Sequence, residues 1–276
     1  TQTHSWVYQD GTPEDKKFEK FGPRADRLLI KLYQSAETEW KALTNGSIDT
    51  TDTRLTKYWY DNFTGPPLSE RINVVGYGPE YGFYILDINN ANTTSSLVYP
   101  NPLSVLSFRQ AIAHLVNRTK LDEIIGAGLY VPIWVPMSPA FGKYYLDIPN
   151  PYQCNRTKAT ELLDLDGFPV NSATAWRFWD RNGNGVEDPE EYLELKFVIR
   201  RDHPHRLAVG NLIADELNGV KVRVKRIYAP PADDYVIVRL NRDFHLYIAS
   251  WYITQPDPTY LYYLFHSSMI PLSNYN

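Results

Sequence analysis

An α/β fold is what this sequence predicts, and three observations predict it. In the second half, strand-like runs alternate with helix-like ones: Glu194 to Arg200 and Val220 to Ile227 read as strands on either side of a helix at Leu207 to Leu217, and Phe244 to Trp251 reads as another strand. In the first half, Ser107 to Gly126 places Phe108, Ala111, Ile112, Leu115 and Val116 at the spacing of one buried helical face. No internal repeat, low-complexity tract or linker divides the chain.

Taken in order, Thr1 to Gly22 is polar and charged and is expected to be an irregular arm. Arg27 to Tyr33 reads as a strand leading into a helix from about Ser35 to Asn45, where Ser35 with Thr38 can cap the start, Trp40 and Leu43 face inward, and Asn45-Gly46 ends it. Leu55 to Phe63 is an aromatic amphipathic helix that must stop before Gly65-Pro66-Pro67. Ile72 to Val75 and Gly82 to Ile88 read as strands, and Asn89 to Pro102 as a polar loop. Ser107 with Gln110 matches a capping box, Thr119 with Asp122 offers a second helix start, and Gly126 and Gly128 can close the pair in a left-handed cap. Val131 to Pro139 is proline-rich, and Lys158 to Leu165 is an amphipathic helix.

The 276 residues can bury a large core, and no apolar run approaches the twenty residues that a membrane helix needs. A net charge of -4 without basic clusters gives no electrostatic footprint for nucleic acid. Cys154 is the only cysteine, so no internal disulfide forms, and the expectation is a small buried hydrophobe. Five acceptor sequons, at Asn45, Asn62, Asn92, Asn117 and Asn155, favour an exported glycoprotein, and Thr1 fits a chain whose signal peptide has been removed.

Asp180 to Glu191 carries a calcium-type pattern. Counted as a twelve-residue loop, it sets Asp180, Asn182 and Asn184 at positions one, three and five, and Gly185 at the sharp turn. Val186 then falls at the carbonyl position, Asp188 at nine and Glu191 at twelve. Calcium is a hard cation that takes six to eight oxygens, which short Asx side chains on a tight loop and a bidentate carboxylate can supply. The expected role is structural. His203 and His205 flank Pro204 without a third ligand at metal spacing, so they are expected in a solvated loop. His266 beside Ser267 and Ser268 lacks a nucleophile elbow, and no carboxylate stands in an apolar setting that marks a tuned acid or base. No enzyme is expected.

Several words of the sequence resemble family 5 extracellular solute-binding proteins, the receptors of ATP-driven peptide and oligosaccharide importers. SFRQAIAHLVNR, from Ser107, is similar to the family's RQAIAYAIDR word. PRADRLLIKLYQSAETEWKALTNGSID from Pro23, NRTKATELLDLDGF from Asn155, the LKFVIR and RLAVGNLIADELNGVKVRV segments between Leu195 and Val224, and WYITQPDPTYLYYLFH from Trp251 follow in the family's order. The resemblance implies a two-lobed, type II periplasmic-binding-protein-like fold, incomplete at the C-terminus. On that basis residues 1–22 are an arm, 23–130 part of a first lobe and 131–276 part of a second. It also implies a small solute, peptide or oligosaccharide, bound between the lobes, and an ABC transporter permease as partner. With the sequons, it suggests an archaeal cell surface.

In peptide-binding members the word beginning with Trp is followed by an acidic residue that pairs with the ligand's α-amine. Here the word is Trp251-Tyr252-Ile253-Thr254, and Thr254 occupies the acidic position. A hydroxyl cannot supply the charge-assisted bond an ammonium needs, and Asp257 can substitute only if its loop bends toward the cleft. Trp134, Trp251 and Tyr252 are the expected cleft walls. The rival expectation is a structural subunit of a sheath, filament or surface layer that reuses the same fold and self-associates by strand addition.

Overall fold

The computed structural model describes residues 27–51, 53–76, 78–91 and 101–269. The expected arm and Asn92 lie outside the described residues. Helix α1, Ala36–Thr44, is capped as expected by Ser35, whose hydroxyl accepts from the Thr38 amide at 3.3 Å, and it buries Trp40. Gly46, at φ +72°, takes the left-handed conformation that follows it. Helix α2, Lys57–Thr64, starts at a Thr56 cap and ends before the Pro pair. Its Trp59 and Phe63 rings pack at a tilt with centres 5.3 Å apart, and Trp59 lies 5.7 Å from Trp40.

The sheet has four strands in the order β1-β4-β2-β3. They are β1 Phe83–Ile88, β2 Glu194–Arg200, β3 Arg223–Ala229 and β4 Leu246–Trp251. β2 is parallel to β3 and β4, whereas β1 runs antiparallel to β4 with Phe83 opposite Trp251 and Asp87 opposite Tyr247. Gly82 is required at the β1 entrance, since a Cβ there would fall 2.3 Å from the Trp251 carbonyl oxygen. Between the strands run α3 Leu106–Leu115, α4 Arg118–Leu121 with the π-helical turn Asp122–Gly126, α5 Arg156–Leu165 and α6 Pro204–Gly219. Two further helices complete them: α7 Pro231–Asp234, continued by π-helical Tyr235–Leu240, and α8 Tyr260–Phe265. Neither α7 nor α8 is a sequence expectation.

The main core lies on one face of the sheet, where Phe108, Ile112 and Leu115 of α3, Leu163 of α5 and Val209, Ile213 and Leu217 of α6 meet Leu195, Phe197, Ile199, Leu246 and Ile248. A smaller cluster on the other face joins Val198, Ala229, Tyr247 and Ala249 to Val238 and Ile237. Helix α6 therefore covers one face and the α7 segment the other. The main core holds residues from Leu103 through Ile125 together with residues from Ala159 through Ile248. This core draws on segments from both sides of residue 131.

Other expectations need correction. Arg27 to Tyr33 and Ile72 to Val75 form no strand and pair with none among the described residues, and Leu28, Ile30 and Leu32 stand 82%, 74% and 93% exposed. A strand pattern supplies only one side of a ladder, and the hydrogen-bonding neighbour is a tertiary matter. Ser107 is not a cap: the 3-10 turn Pro102–Ser104 delivers the chain so that α3 begins one residue earlier, and the Ser107 hydroxyl is buried without a partner. Arg109 fastens the preceding turn to the helix, donating to the carbonyls of Leu103 and Ser104 at 2.7 and 2.9 Å, and the helix start carries no side-chain cap. The second start is capped by Asn117, not Thr119, and Asp122 accepts from the Tyr130 amide at 2.7 Å. Cys154 is exposed.

Candidate ligand cleft

Strand order creates the site. The chain leaves β2, crosses one face through α6 and enters β3, then crosses the opposite face through α7 and enters β4 on the other side of β2. The carboxyl ends of β2 and β4 thus border a topological switch point, where open α/β sheets leave a crevice for ligands. The residues that follow these strands gather there: Arg200 and Asp202 after β2, His203 to Arg206 at the start of α6, and Ser250 and Trp251 at the end of β4.

The crevice is polar and closely bonded. Arg206, 8% exposed, donates through Nη1 to the Tyr247 hydroxyl at 3.2 Å and through Nη2 to the Ser250 hydroxyl. Tyr247 donates in turn to Asp234 Oδ2 at 3.0 Å, which also takes a 3.4 Å bond from Arg200, and Arg200 is held by both oxygens of Asp202 at 2.7 Å. Burial raises the Asp234 carboxyl above its usual range despite its hydrogen bond from Tyr247 and the nearby arginines. Asp87 is pushed up to about 6 by burial, opposed by the charges of Arg239 and Arg206. Carboxylates raised by burial therefore exist here, contrary to expectation, although among arginines and hydroxyls rather than in an apolar setting. Asp87 was legible as a strand residue beside Ile85, but its burial depends on the α7 segment covering that face.

His203 and His205 are not in a solvated loop. His205 is 2% exposed and bonds to the Tyr130 hydroxyl through Nδ1, while its Nε2 lies 3.3 Å from the Arg54 carbonyl. Tyr84 stacks on His205 with ring centres 6.2 Å apart, and Arg54, paired with Glu80, lies 5.5 Å over the Tyr84 ring. This node ties the segment around Arg54 to β1 and α6. Burial and the Arg206 charge push His203 down to about 4, and burial next to Lys196 pushes His245 down to about 4.

These shifts set a pH dependence. His245 is 4% exposed and its Nδ1 accepts the Lys196 amide at 2.9 Å, a bond only the neutral ring can make. Its folded pKa lies below the unfolded value near 6.5, so between about 6.5 and 4 the unfolded chain binds the extra proton and stability falls as pH falls, by up to roughly 3 kcal/mol. Asp87 has the opposite sign, since its raised pKa adds stability as pH falls through about 6. Asp234, raised by burial, acts with it, and the three histidines lowered by burial, His203, His205 and His245, act against both, so the net expectation is loss. Urea unfolding at stepped pH should show this, with His245→Gln flattening the slope between pH 6.5 and 4; an unchanged slope rejects the assignment to His245.

Of the expected cleft walls, Trp251 ends β4 and Tyr252 follows it. Trp251 is partly buried with the Arg239 guanidinium 5.7 Å over its ring, and Tyr252 is 74% exposed. Trp134 is partly buried under Arg118 at 5.0 Å, in a proline-rich segment linked to α8 by the 2.6 Å bond from the Tyr260 hydroxyl to the Pro136 carbonyl. Thr254 and Asp257 are exposed, and Asp257 is occupied locally: its Oδ1 accepts from the Thr259 amide at 2.8 Å and from the Thr259 hydroxyl.

The Asp180 to Glu191 segment forms a separate exposed loop. Both Asp180 oxygens accept backbone amides, from Asn184 at 3.1 Å and Gly185 at 3.0 Å, with Gly185 at φ +74°. The side-chain amides of Asn182 and Asn184 converge on Asp188 Oδ2 at 2.8 and 3.4 Å, and Asn184 Oδ1 accepts the Val186 backbone amide at 2.7 Å. Glu191, 3% exposed, accepts from the Arg181 and Asp188 amides at 2.9 and 3.3 Å. Among the described residues no group of three or more His, Cys, Asp or Glu side chains could hold a metal ion, so a cation here would depend on amide and carbonyl oxygens as well.

Comparison with known proteins now decides the family. Residues 13–270 match the model of the bacterial extracellular solute-binding proteins, family 5. The chain belongs to this family. It is 24% identical over 147 residues to a probable ABC transporter-binding protein of Deinococcus radiodurans, covering 52% of this chain and 23% of that protein. Its fold is similar to that of lactococcal OppA in complex with an endogenous peptide, with a TM-score of 0.64, 18% identity, and coverage of 87% of this chain and 43% of that one. It is also similar to Brucella suis NikA in complex with Fe(III)-EDTA, with a TM-score of 0.63, 18% identity, and coverage of 86% and 44%. The chain thus spans less than half the length of these relatives, whose fold it shares over nearly all of its own. No helix among the described residues is long and apolar enough to cross a membrane.

Proposed function

We propose that this chain is part of a solute receptor that delivers peptides or oligosaccharides to an ABC transporter permease outside the cytoplasm, with the solute held against the carboxyl ends of β2 and β4. The observation that supports this reading is the family 5 match together with the strand order, in which Trp251 to Thr254 follow directly on the carboxyl end of β4 at the switch point. Thr254 is uncharged, and the Asp257 carboxylate is engaged by Thr259. The stretch therefore offers no free carboxylate to an α-ammonium group, which favours solutes without one.

Calorimetry with free dipeptides tests the point. Thr254→Asp should strengthen their binding about tenfold, the equivalent of roughly 1.4 kcal/mol for a new charge-assisted bond, without strengthening the binding of N-acetylated peptides. Equal affinities in wild type and variant would remove Thr254 from the cleft.

The exposed row Leu28, Ile30 and Leu32 favours a second reading, in which the chain self-associates as a surface subunit by adding this unpaired segment to a neighbour's sheet. Light scattering distinguishes the two, because that subunit forms higher oligomers that Ile30→Lys disperses, whereas a receptor stays monomeric. We also propose glycans at the exposed Asn45, Asn62 and Asn155. Peptide mass spectrometry of native material should find at least one of them modified. Asn117, which caps α4 and is only partly exposed, is the least accessible of the described sequons.

A further inference from the structure

The switch-point crevice holds polar atoms that the fold leaves incomplete. Arg206 and Asp234 are 8% and 7% exposed, yet Arg206 Nε and Asp234 Oδ1 have no hydrogen-bond partner, and neither has the buried Nδ1 of His203. A buried donor and a buried acceptor left open in one place call for an explanation, because native folds pair nearly all such groups. Both side chains bond the same atom, the Tyr247 hydroxyl, Arg206 as donor at 3.2 Å and Asp234 as acceptor at 3.0 Å. A small group lodged beside that hydroxyl is thus next to both.

The charges restrict what the group can be. Arg200 and Arg206 are balanced by Asp202 and Asp234, which they contact directly or through Tyr247. Asp87, within the electrostatic reach of Arg206 and Arg239, adds one further charge of each sign. A carboxylate or ammonium entering this set would upset a neutral balance in a poorly hydrated place, whereas an uncharged group with a donor beside an acceptor would complete it. Ser250 and His203, both partly exposed, connect the crevice to the cleft side.

Resting on the solute-receptor reading, we infer that Arg206 and Asp234 form the anchoring subsite for an uncharged solute group that presents a hydrogen-bond donor next to an acceptor. Vicinal sugar hydroxyls and a peptide amide with no charged terminus beside it share that chemistry, whereas the one amide of a free dipeptide lies between two charged ends. A free peptide terminus does not share it.

The Arg206 Nε–H resonance reports on the subsite directly. Its ¹H–¹⁵N signal is followed in the full chain, assigned by its loss in Arg206→Lys, during titration with cellobiose, with an N-acetylated dipeptide amide, and with free dialanine. The expected result is a saturable shift with cellobiose or the blocked peptide, the responding arm naming the source, no shift with dialanine, and at least tenfold weaker binding in Asp234→Asn. If Asp234→Asn does not fold, Ser250→Ala, which removes only a partner of Arg206, should still weaken binding several-fold. Saturable shifts elsewhere in the spectrum with the Arg206 signal unmoved would overturn the subsite and leave the receptor reading standing, as would a response to dialanine alone. Absence of any saturable response to all three would overturn both.

Discussion

Replacing Arg177 by methionine should destabilise the chain by roughly 3–5 kcal/mol, although the residue lies far from the cleft. Arg177 is 2% exposed and fastens the loop after α5 to the turn between α6 and β3. Its Nε donates to the Val220 carbonyl at 2.8 Å, its Nη1 to the Phe168 carbonyl and to Asp164 at 2.5 Å, and its own amide to the Lys221 carbonyl at 2.7 Å. Methionine can fill much of the space but leaves two buried carbonyls without their charged donor, each costing about 1–3 kcal/mol. Asp164 is 55% exposed, so its share of the ion pair is screened and Asp164→Asn should cost under about 1 kcal/mol. Urea unfolding of both variants checks the contrast. If Arg177→Met lies within 1 kcal/mol of wild type, these bonds do not hold the loop.

Calcium should stabilise the chain by about 2.7 kcal/mol when present at a hundred times its dissociation constant, if the Asp180 to Glu191 loop binds it as we propose. Asp180, Asn182, Asn184, Asp188 and Glu191 would supply side-chain oxygens and Val186 its carbonyl. The Asn182 and Asn184 amides already lie against Asp188, and a half-turn of each presents oxygen where nitrogen now donates. Glu191 has the larger step to make, because its carboxylate must give up the Arg181 and Asp188 amides to become a bidentate ligand. Thermal unfolding in calcium and in a calcium chelator measures the increment. Asp180→Ala and Glu191→Gln should abolish it, and coincident melting curves for the unaltered chain in the two buffers would end the calcium proposal.

How much of this was legible in the sequence follows from how local each decision is. The Ser35 cap, the stop before Pro66 and Pro67, the buried face of α3 and the full span of β2 were readable because hydrogen bonds and side-chain periods within a few residues set them. Family membership was legible too, in words spread along the chain. Where a position depended on what preceded it in space, sequence reasoning failed. Ser107 looked like a cap until the 3-10 turn carried the helix start past it, and Asn117 did the capping assigned to Thr119. His203 and His205 read as solvated because no third ligand stood at metal spacing, but Pro204 suits the first position of a helix, and α6 starts there against Tyr84 and Tyr130.

By itself, then, the sequence determined an α/β chain with its helical faces, most of its strands and its family. Tertiary structure decided which extended runs became strands, since Arg27 to Tyr33 has the composition of one and no neighbour to pair with among the described residues. It also decided the site. The strand order that brings β4 beside β2 is a pairing between segments some fifty residues apart, and only this pairing, with α6 and α7 on opposite faces, gathers Arg206, Asp234 and Tyr247 into one buried crevice. Side-chain periodicity tells which way a residue points within its own element; what it meets there is set by contacts that no local pattern encodes.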